Sequence, residues 1–136
     1  MEVFSEMSTE LNVCIVRVES GDIVRDHIPD LIRELRHVLS GSSRVLIDLS
    51  DVHAMCTQAV AALLELLRID LTQRGPGIRH AFIAPPAAVT RLISLVAPSV
   101  VAVFDFTEHA LEQIRLEALV SQGCSRARNG FITTTY

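Results

Sequence analysis

Val13–Val18 is a β-branched run that divides between two faces: Cys14, Val16 and Val18 on one, Val13, Ile15 and Arg17 on the other. Such alternation predicts a strand. A weaker run around Phe4 predicts an earlier strand paired with it, and Ser20-Gly21-Asp22 is a turn signal. Ile28, Leu31, Ile32, Leu35 and Leu39 then recur at helical spacing, with Pro29 suited to the first turn. Arg33, Glu34, Arg36 and His37 fall on the opposite, wet side, and Ser40-Gly41-Ser42-Ser43 ends the helix. Arg44–Leu49 is nearly continuous apolar, the pattern of a central strand covered on both faces.

A second helix is predicted from Thr57 to about Gln73, with a core stripe of Val60, Leu63, Leu64, Leu67 and Leu71 and a weak Glu65–Arg68 pair on its polar side. Arg74-Gly75-Pro76-Gly77 terminates it. Arg79–Ala84 predicts another strand, closed by Pro85-Pro86. These open a short helix with Val89, Leu92, Ile93 and Val96 inward, and Pro98 stops it. Val100–Phe104 predicts a brief strand. Thr107 is placed to cap a last helix, with Glu108 in its first turn and Leu111 and Ile114 facing in.

The alternation of strands and helices implies an α/β domain with right-handed crossovers. The expected architecture is a mostly parallel or mixed sheet of four to five strands, with four helices mainly on one face. Residues 1–120 are expected to form this one domain. From Ser121 apolar content drops, and 121–136 is expected to be a flexible C-terminal tail. An exposed first strand could pair with another copy, giving a homodimer.

Composition narrows the function classes. The chain has 136 residues, is 49% hydrophobic and 21% charged, and carries a net charge of −4. No apolar run reaches the roughly 18 residues a membrane helix needs. Met1-Glu2-Val3-Phe4-Ser5-Glu6 lacks the basic start and apolar stretch of a signal peptide, so a cytoplasmic location is the expectation. All basic side chains are Arg, with no basic run, so no nucleic-acid footprint is expected. The absence of Lys also excludes Schiff-base and P-loop lysine chemistry. Cys14, Cys56 and Cys124 are odd in number and widely spaced, which fits free thiols and no disulfide framework or zinc set. The histidines show no paired metal-ligand spacing. No metal and no cofactor is expected.

The turn after Leu49, Ser50-Asp51-Val52-His53-Ala54-Met55-Cys56, has no glycine, which weighs against a dinucleotide or P-loop site. A Cys56 nucleophile assisted by His53 is conceivable, but it needs a positioned base and an oxyanion site, and a buried connection explains the same residues. Asp48 ends the central strand, where parallel sheets often place functional groups. Bonding to loop N–H groups is the plainer role. The outstanding position is Thr57, a hydroxyl at a helix start, where unpaired N–H groups and the positive end of the dipole suit a phosphate. A structural role as an ordinary N-cap is the alternative.

The segment Val45-Leu-Ile-Asp-Leu-Ser-Asp-Val-His-Ala-Met-Cys-Thr-Gln-Ala-Val-Ala-Ala-Leu-Leu64 resembles the signature region of the STAS domain, the fold of bacterial anti-sigma factor antagonists. That family's pattern is a strand ending Asp-Leu-Ser-Gly, a short apolar stretch, then Asp-Ser-Ser-Gly-Leu opening a helix. Asp48-Leu49-Ser50 matches its first part; Gly21-Asp22-Ile23 resembles the family's Gly-Glu-Leu turn, and Arg74-Gly75 and Pro85-Pro86 also fit. The resemblance covers roughly Val13 to Ile114. Three positions depart: the phosphorylated Ser falls on Thr57, the Asp before it is Cys56, and the Gly two residues after it is Ala59. The resemblance implies binding and no catalysis. The unmodified domain docks a histidine-kinase-like anti-sigma factor, and phosphate on Thr57 releases it. The contact surface it implies includes Asp51, His53, Thr57, Gln58, Ala61 and Arg68. Cys56 adds a redox variant, in which oxidation changes the same surface.

Overall fold

The computed structural model describes residues 1–8, 12–72 and 78–134, with side chains described through Val120. Strand β1 is Glu2–Ser8, β2 Val13–Glu19 and β3 Asp22–Ile23; a single 3₁₀ turn leads into α1, Ile28–Gly41. The chain continues with β4 Arg44–Asp48, β5 Ala54–Met55, α2 Thr57–Leu71, β6 His80–Ile83, α3 Ala87–Val96, β7 Ala102–Phe104 and α4 Thr107–Thr134. The expected turn at 74–77 lies outside the described residues, as do the side chains of the expected tail, 121–136.

The main sheet has five strands in the order β1-β2-β4-β6-β7. Only the β1–β2 pair is antiparallel; the other three pairings are parallel. β4 lies at its centre because its residues are apolar to both sides: Val45, Leu46 and Ile47 are all fully buried. Alternation sends Val45, Ile47 and Leu49 to one layer with Cys14, Val16, Val18 and Phe82, under Leu31, Leu35 and Leu39 of α1, Val60, Leu63 and Leu67 of α2, and Val89 and Ile93 of α3. Leu46, Val13, Ala81 and Ile83 face the other way, onto Ala110 and Ile114 of α4. Three helices thus cover one face and α4 the opposite one.

Two expectations are corrected. Val96, predicted to point inward, is 63% exposed, because α3 ends on it and the chain turns away at Ala97. Thr107, predicted to cap α4, is its first helical residue.

The amino-proximal end of the sheet is held by a buried polar clip that hydrophobic periodicity does not reveal. Asp70, near the end of α2, accepts from Arg79 Nε at 2.8 Å, and its Oδ2 lies 2.7 Å from His80 Nε2. The Arg79 guanidinium also donates to the carbonyls of Leu39, at 2.9 Å, and Ser42. One arginine therefore satisfies carbonyls at the end of α1, which no intrahelical donor can reach, while neutralising α2's carboxylate. On the other face, the Glu117 carboxylate of α4 accepts the Ile78 N–H at 3.2 Å, just before β6 begins.

Burial pushes the His80 imidazole below its ordinary range, against the opposing pull of Asp70. Burial works to raise the Asp70 carboxyl, but its bonds to Arg79 and His80 outweigh this and hold it low. Both shifts are depressions, so both contribute stability that is present above the unfolded pKa and lost as pH falls. Unfolding free energy should therefore decline below about pH 6.5 through His80, and again below about pH 4 through Asp70. Asp70→Ala leaves the buried guanidinium without its counter-charge and should cost about 3 kcal/mol in urea unfolding. Asp70→Asn should flatten the acid limb of the profile.

Candidate functional site

The candidate site is the amino end of α2 with the loop that feeds it. That loop leaves β4 at Leu49, which is fully buried; Val52, 5% exposed, is its second anchor. Val52 N–H bonds back to Leu49 C=O at 3.0 Å, and the Asp48 carboxylate accepts the Ser50 N–H at 2.9 Å. Asp48 therefore takes the loop-bonding role expected of it.

The rest of the loop is clamped by a two-rung parallel ladder, Asp22 against Ala54 and Ile23 against Met55. Gly21 C=O accepts from His53 N–H at 2.6 Å and Ala54 N–H at 3.3 Å, and Ile23 C=O accepts from Cys56 N–H at 3.0 Å. Ile23 is 1% exposed, so this strap is itself pinned into the core. The Gly21-Asp22-Ile23 segment, read in the sequence as a turn, is thus the partner strand that fixes the loop.

Cys56 is the N-cap of α2: its backbone is extended and its C=O accepts from Ala59 and Val60 at 3.0 and 3.2 Å. The Cys56 side chain makes no capping bond. Thr57 is consequently the first helical residue, one position past the cap, which overturns the reading of its hydroxyl as an ordinary N-cap. Its side chain is exposed, and no hydrogen bond to its hydroxyl occurs among the described residues. Ala59, 1% exposed, faces the core, where a small residue lets the first turn sit close to the sheet.

Asp51, His53, Gln58 and Ala61 are exposed around the same tip. The His53 ring lies against Gly21, its Nδ1 3.6 Å from where a Cβ would stand on that glycine. Thr57, Ala61 and Arg68 share one ridge of α2, since four and eleven residues bring the chain back to nearly the same side. Arg68 is nevertheless about 16 Å along the helix from Thr57. It is held there by Glu65, Nη2 to Oε1 at 2.6 Å, with both side chains more than half exposed.

Other candidates separate from this tip. Cys14 pairs with Val45 at the far end of the sheet, near Ser42, whereas Cys56 lies past the strands' carboxyl ends. From Cys14 to the end of β2 alone is about 17 Å, well beyond the roughly 7 Å a disulfide spans. Burial pushes the Cys14 thiol up, against weaker opposing bonds. Cys124 lies outside the described side chains. Asp48 opens onto a trough of about 430 Å³ on the α4 side, lined also by Phe4, Glu6, Ile15, Arg17 and Thr107, away from Thr57. No group of three or more metal-ligating side chains occurs among the described residues. No described helix is long and apolar enough to cross a membrane.

The fold of this chain is also found in solved structures. An anti-sigma factor antagonist from Mycobacterium paratuberculosis superposes with a TM-score of 0.66 at 22% identity, over 84% of this chain and 93% of that one. The anti-sigma factor antagonist SpoIIAA in its unphosphorylated form gives 0.65 at 14% identity, over 84% and 98%. The phosphorylated form of SpoIIAA, a Bacillus cell fate determinant, gives 0.64 at 12%, over 83% and 99%. The fold is that of a STAS domain. No family model and no curated protein matches the sequence. The structures named here are regulatory proteins by name.

The cap geometry gives a direct test. Thr57→Ala should change stability by less than about 0.5 kcal/mol, because the hydroxyl satisfies no helix donor. Cys56→Asp should raise it by roughly 1 kcal/mol by supplying the missing capping acceptor. Chemical denaturation of the two variants beside the wild type checks both; the reverse order would contradict the assignment of Cys56 as N-cap.

Proposed function

We propose that this chain is an anti-sigma factor antagonist-like binding module that works by partner switching in transcription control. In this reading it docks a histidine-kinase-like anti-sigma factor through the amino end of α2 and is released when Thr57 is phosphorylated. One observation carries it: Thr57 stands exposed at the first position of α2, with an unengaged hydroxyl, in a fold shared with an antagonist solved both with and without phosphate.

The energetics run in one direction. Phosphate brings between one and two negative charges and strong acceptors. In the free protein these meet unpaired N–H groups of the first turn and the helix dipole, so modification is tolerated. In a complex the same charge must be desolvated against a surface shaped for a hydroxyl, and affinity falls. Asp51, His53, Gln58 and Ala61 form the near rim of the contact, and Arg68 its far end along the ridge. A cytoplasmic location belongs to the same reading.

Cys56 supports a second reading. It replaces the carboxylate expected beside the acceptor hydroxyl, so Thr57 can serve docking alone, within a larger assembly or transport complex. An oxidised Cys56 would alter the same surface without Cys14.

Intact mass after incubation with a histidine-kinase-like anti-sigma factor and ATP should show one added phosphate, lost in Thr57→Ala. Thr57→Glu should bind that factor at least about tenfold more weakly than wild type, the order expected for an unpaired charge at an interface. Equal affinity of Thr57→Glu and wild type would contradict the switch. An unchanged mass with binding retained would favour the docking-only reading.

A further inference from the structure

We propose that two copies of this chain join through β1, antiparallel about a two-fold axis at Ser5, so that their sheets become one. This does not rest on the anti-sigma factor reading.

The direction of each backbone group along β1 follows from bonds deeper in the sheet. Val45 donates its N–H to Arg79 C=O and Leu49 to Ile83 C=O, both toward β6. Alternation therefore turns the backbone groups of Arg44, Leu46 and Asp48 toward β2. In the parallel register that sets Ile15 beside Leu46, Cys14, Val16 and Val18 answer them, leaving Val13, Ile15, Arg17 and Glu19 to bond with β1. Their partners are Ser8, Glu6, Phe4 and Glu2. Val3, Ser5 and Met7 must then present their N–H and C=O groups to the open side, because β1 ends the sheet.

An axis at Ser5 places Ser5 against its own copy and Val3 against the partner's Met7, so every outward group of the three residues is matched. It also sets Glu2 opposite Ser8 and Phe4 opposite Glu6. Moving the axis to Phe4 brings Glu2 against Glu6, and moving it to Glu6 brings that carboxylate against itself, while both leave outward groups unmatched. One register alone saturates the edge without opposing like charges. The side chains it covers are those an isolated domain leaves in water: Phe4 is 47% and Met7 45% exposed.

The strand's charged side chains, Glu2 and Glu6, face the partner's Ser8 and the partner's Phe4 in this register, and other usual devices against such pairing are missing. β1 has no proline and no lysine, and its register with β2 runs unbroken from Glu2 to Ser8. The opposite edge, β7, is only three residues long. Thr57 lies beyond the end of β4, two strands in from β1, so a dimer built this way carries two separate α2 tips.

Sedimentation equilibrium of the full chain tests this. Wild type should show a reversible monomer–dimer equilibrium. Ser5→Asp sets two carboxylates face to face on the axis and should weaken dimerisation by about tenfold or more, with the circular dichroism spectrum unchanged. Ser5→Arg alone should do the same, and an equimolar mixture of Ser5→Asp and Ser5→Arg should restore dimers, which only a register with residue 5 against itself predicts. Ser5→Pro, which removes an outward N–H only, should remain folded and monomeric, whereas Phe4→Pro should lose stability. A wild type that stays monomeric to its solubility limit, a Ser5→Asp dimer as tight as wild type, or no recovery in the mixture would each overturn the proposal.

Discussion

The tip of α2 is where it is because of one short ladder. Between β4 and α2 the chain has no glycine or proline to stiffen or direct it, and a free loop of that length would let the helix start wander. Backbone bonds from His53, Ala54 and Cys56 to Gly21 and Ile23 remove that freedom. The strap in turn holds its position because Ile23 is buried. The order of dependence is core, strap, loop, helix cap, exposed hydroxyl. A docking surface assembled this way loses little conformational entropy on binding, since its backbone is fixed beforehand.

Most of the frame was legible in the sequence, and the reasons are specific. β2 alternates cleanly and β4 is apolar throughout, so each announces both its type and its place in the sheet. The inward residues of α1 and α2 recur at helical spacing over several turns. What escaped was whatever periodicity does not encode. β3 and β5 are two residues each, too short to carry any pattern, and the Gly21 turn signal concealed a pairing partner. Asp70 sits on the polar side of an amphipathic helix, where a carboxylate is ordinarily solvated, and only the fold brings Arg79 and His80 to it. The start of α2 at Thr57 was legible, and of the two roles open to its hydroxyl the N-cap one is removed, because the Cys56 carbonyl takes the first intrahelical bonds. Val96 failed because the last turn of a helix departs from the face its earlier turns define.

The two ends of α2 are held by opposite kinds of chemistry. At the carboxyl end a buried carboxylate, guanidinium and imidazole lock the helix to β6 and α1, with each charge compensated inside the protein. At the amino end the polar ties among the described residues are backbone bonds, with Ala59 and Val60 packed in the core, and Thr57 and Gln58 carry no charge. A first turn without its own charge matters for the proposed switch, with Asp51 the one carboxylate among the named rim residues. The change on phosphorylation is largest, relative to the ground state, where no fixed carboxylate already dominates the local field. A negative cap at Cys56 would consume part of the helix dipole that a phosphate would otherwise use. The departure from the usual acidic residue therefore has two effects of opposite sign: it removes a carboxylate that would repel the phosphate, and it removes a group a kinase could engage. The first effect lies wholly within this chain and favours retention of the phosphate once it is added. The second is a property of the partner. If Thr57 is phosphorylated as proposed, it meets the electrostatic requirement of the modified state better than a residue directly beside an acid would, and selectivity for a modifying enzyme would come from elsewhere on the rim, where Asp51, His53 and Gln58 are exposed polar neighbours.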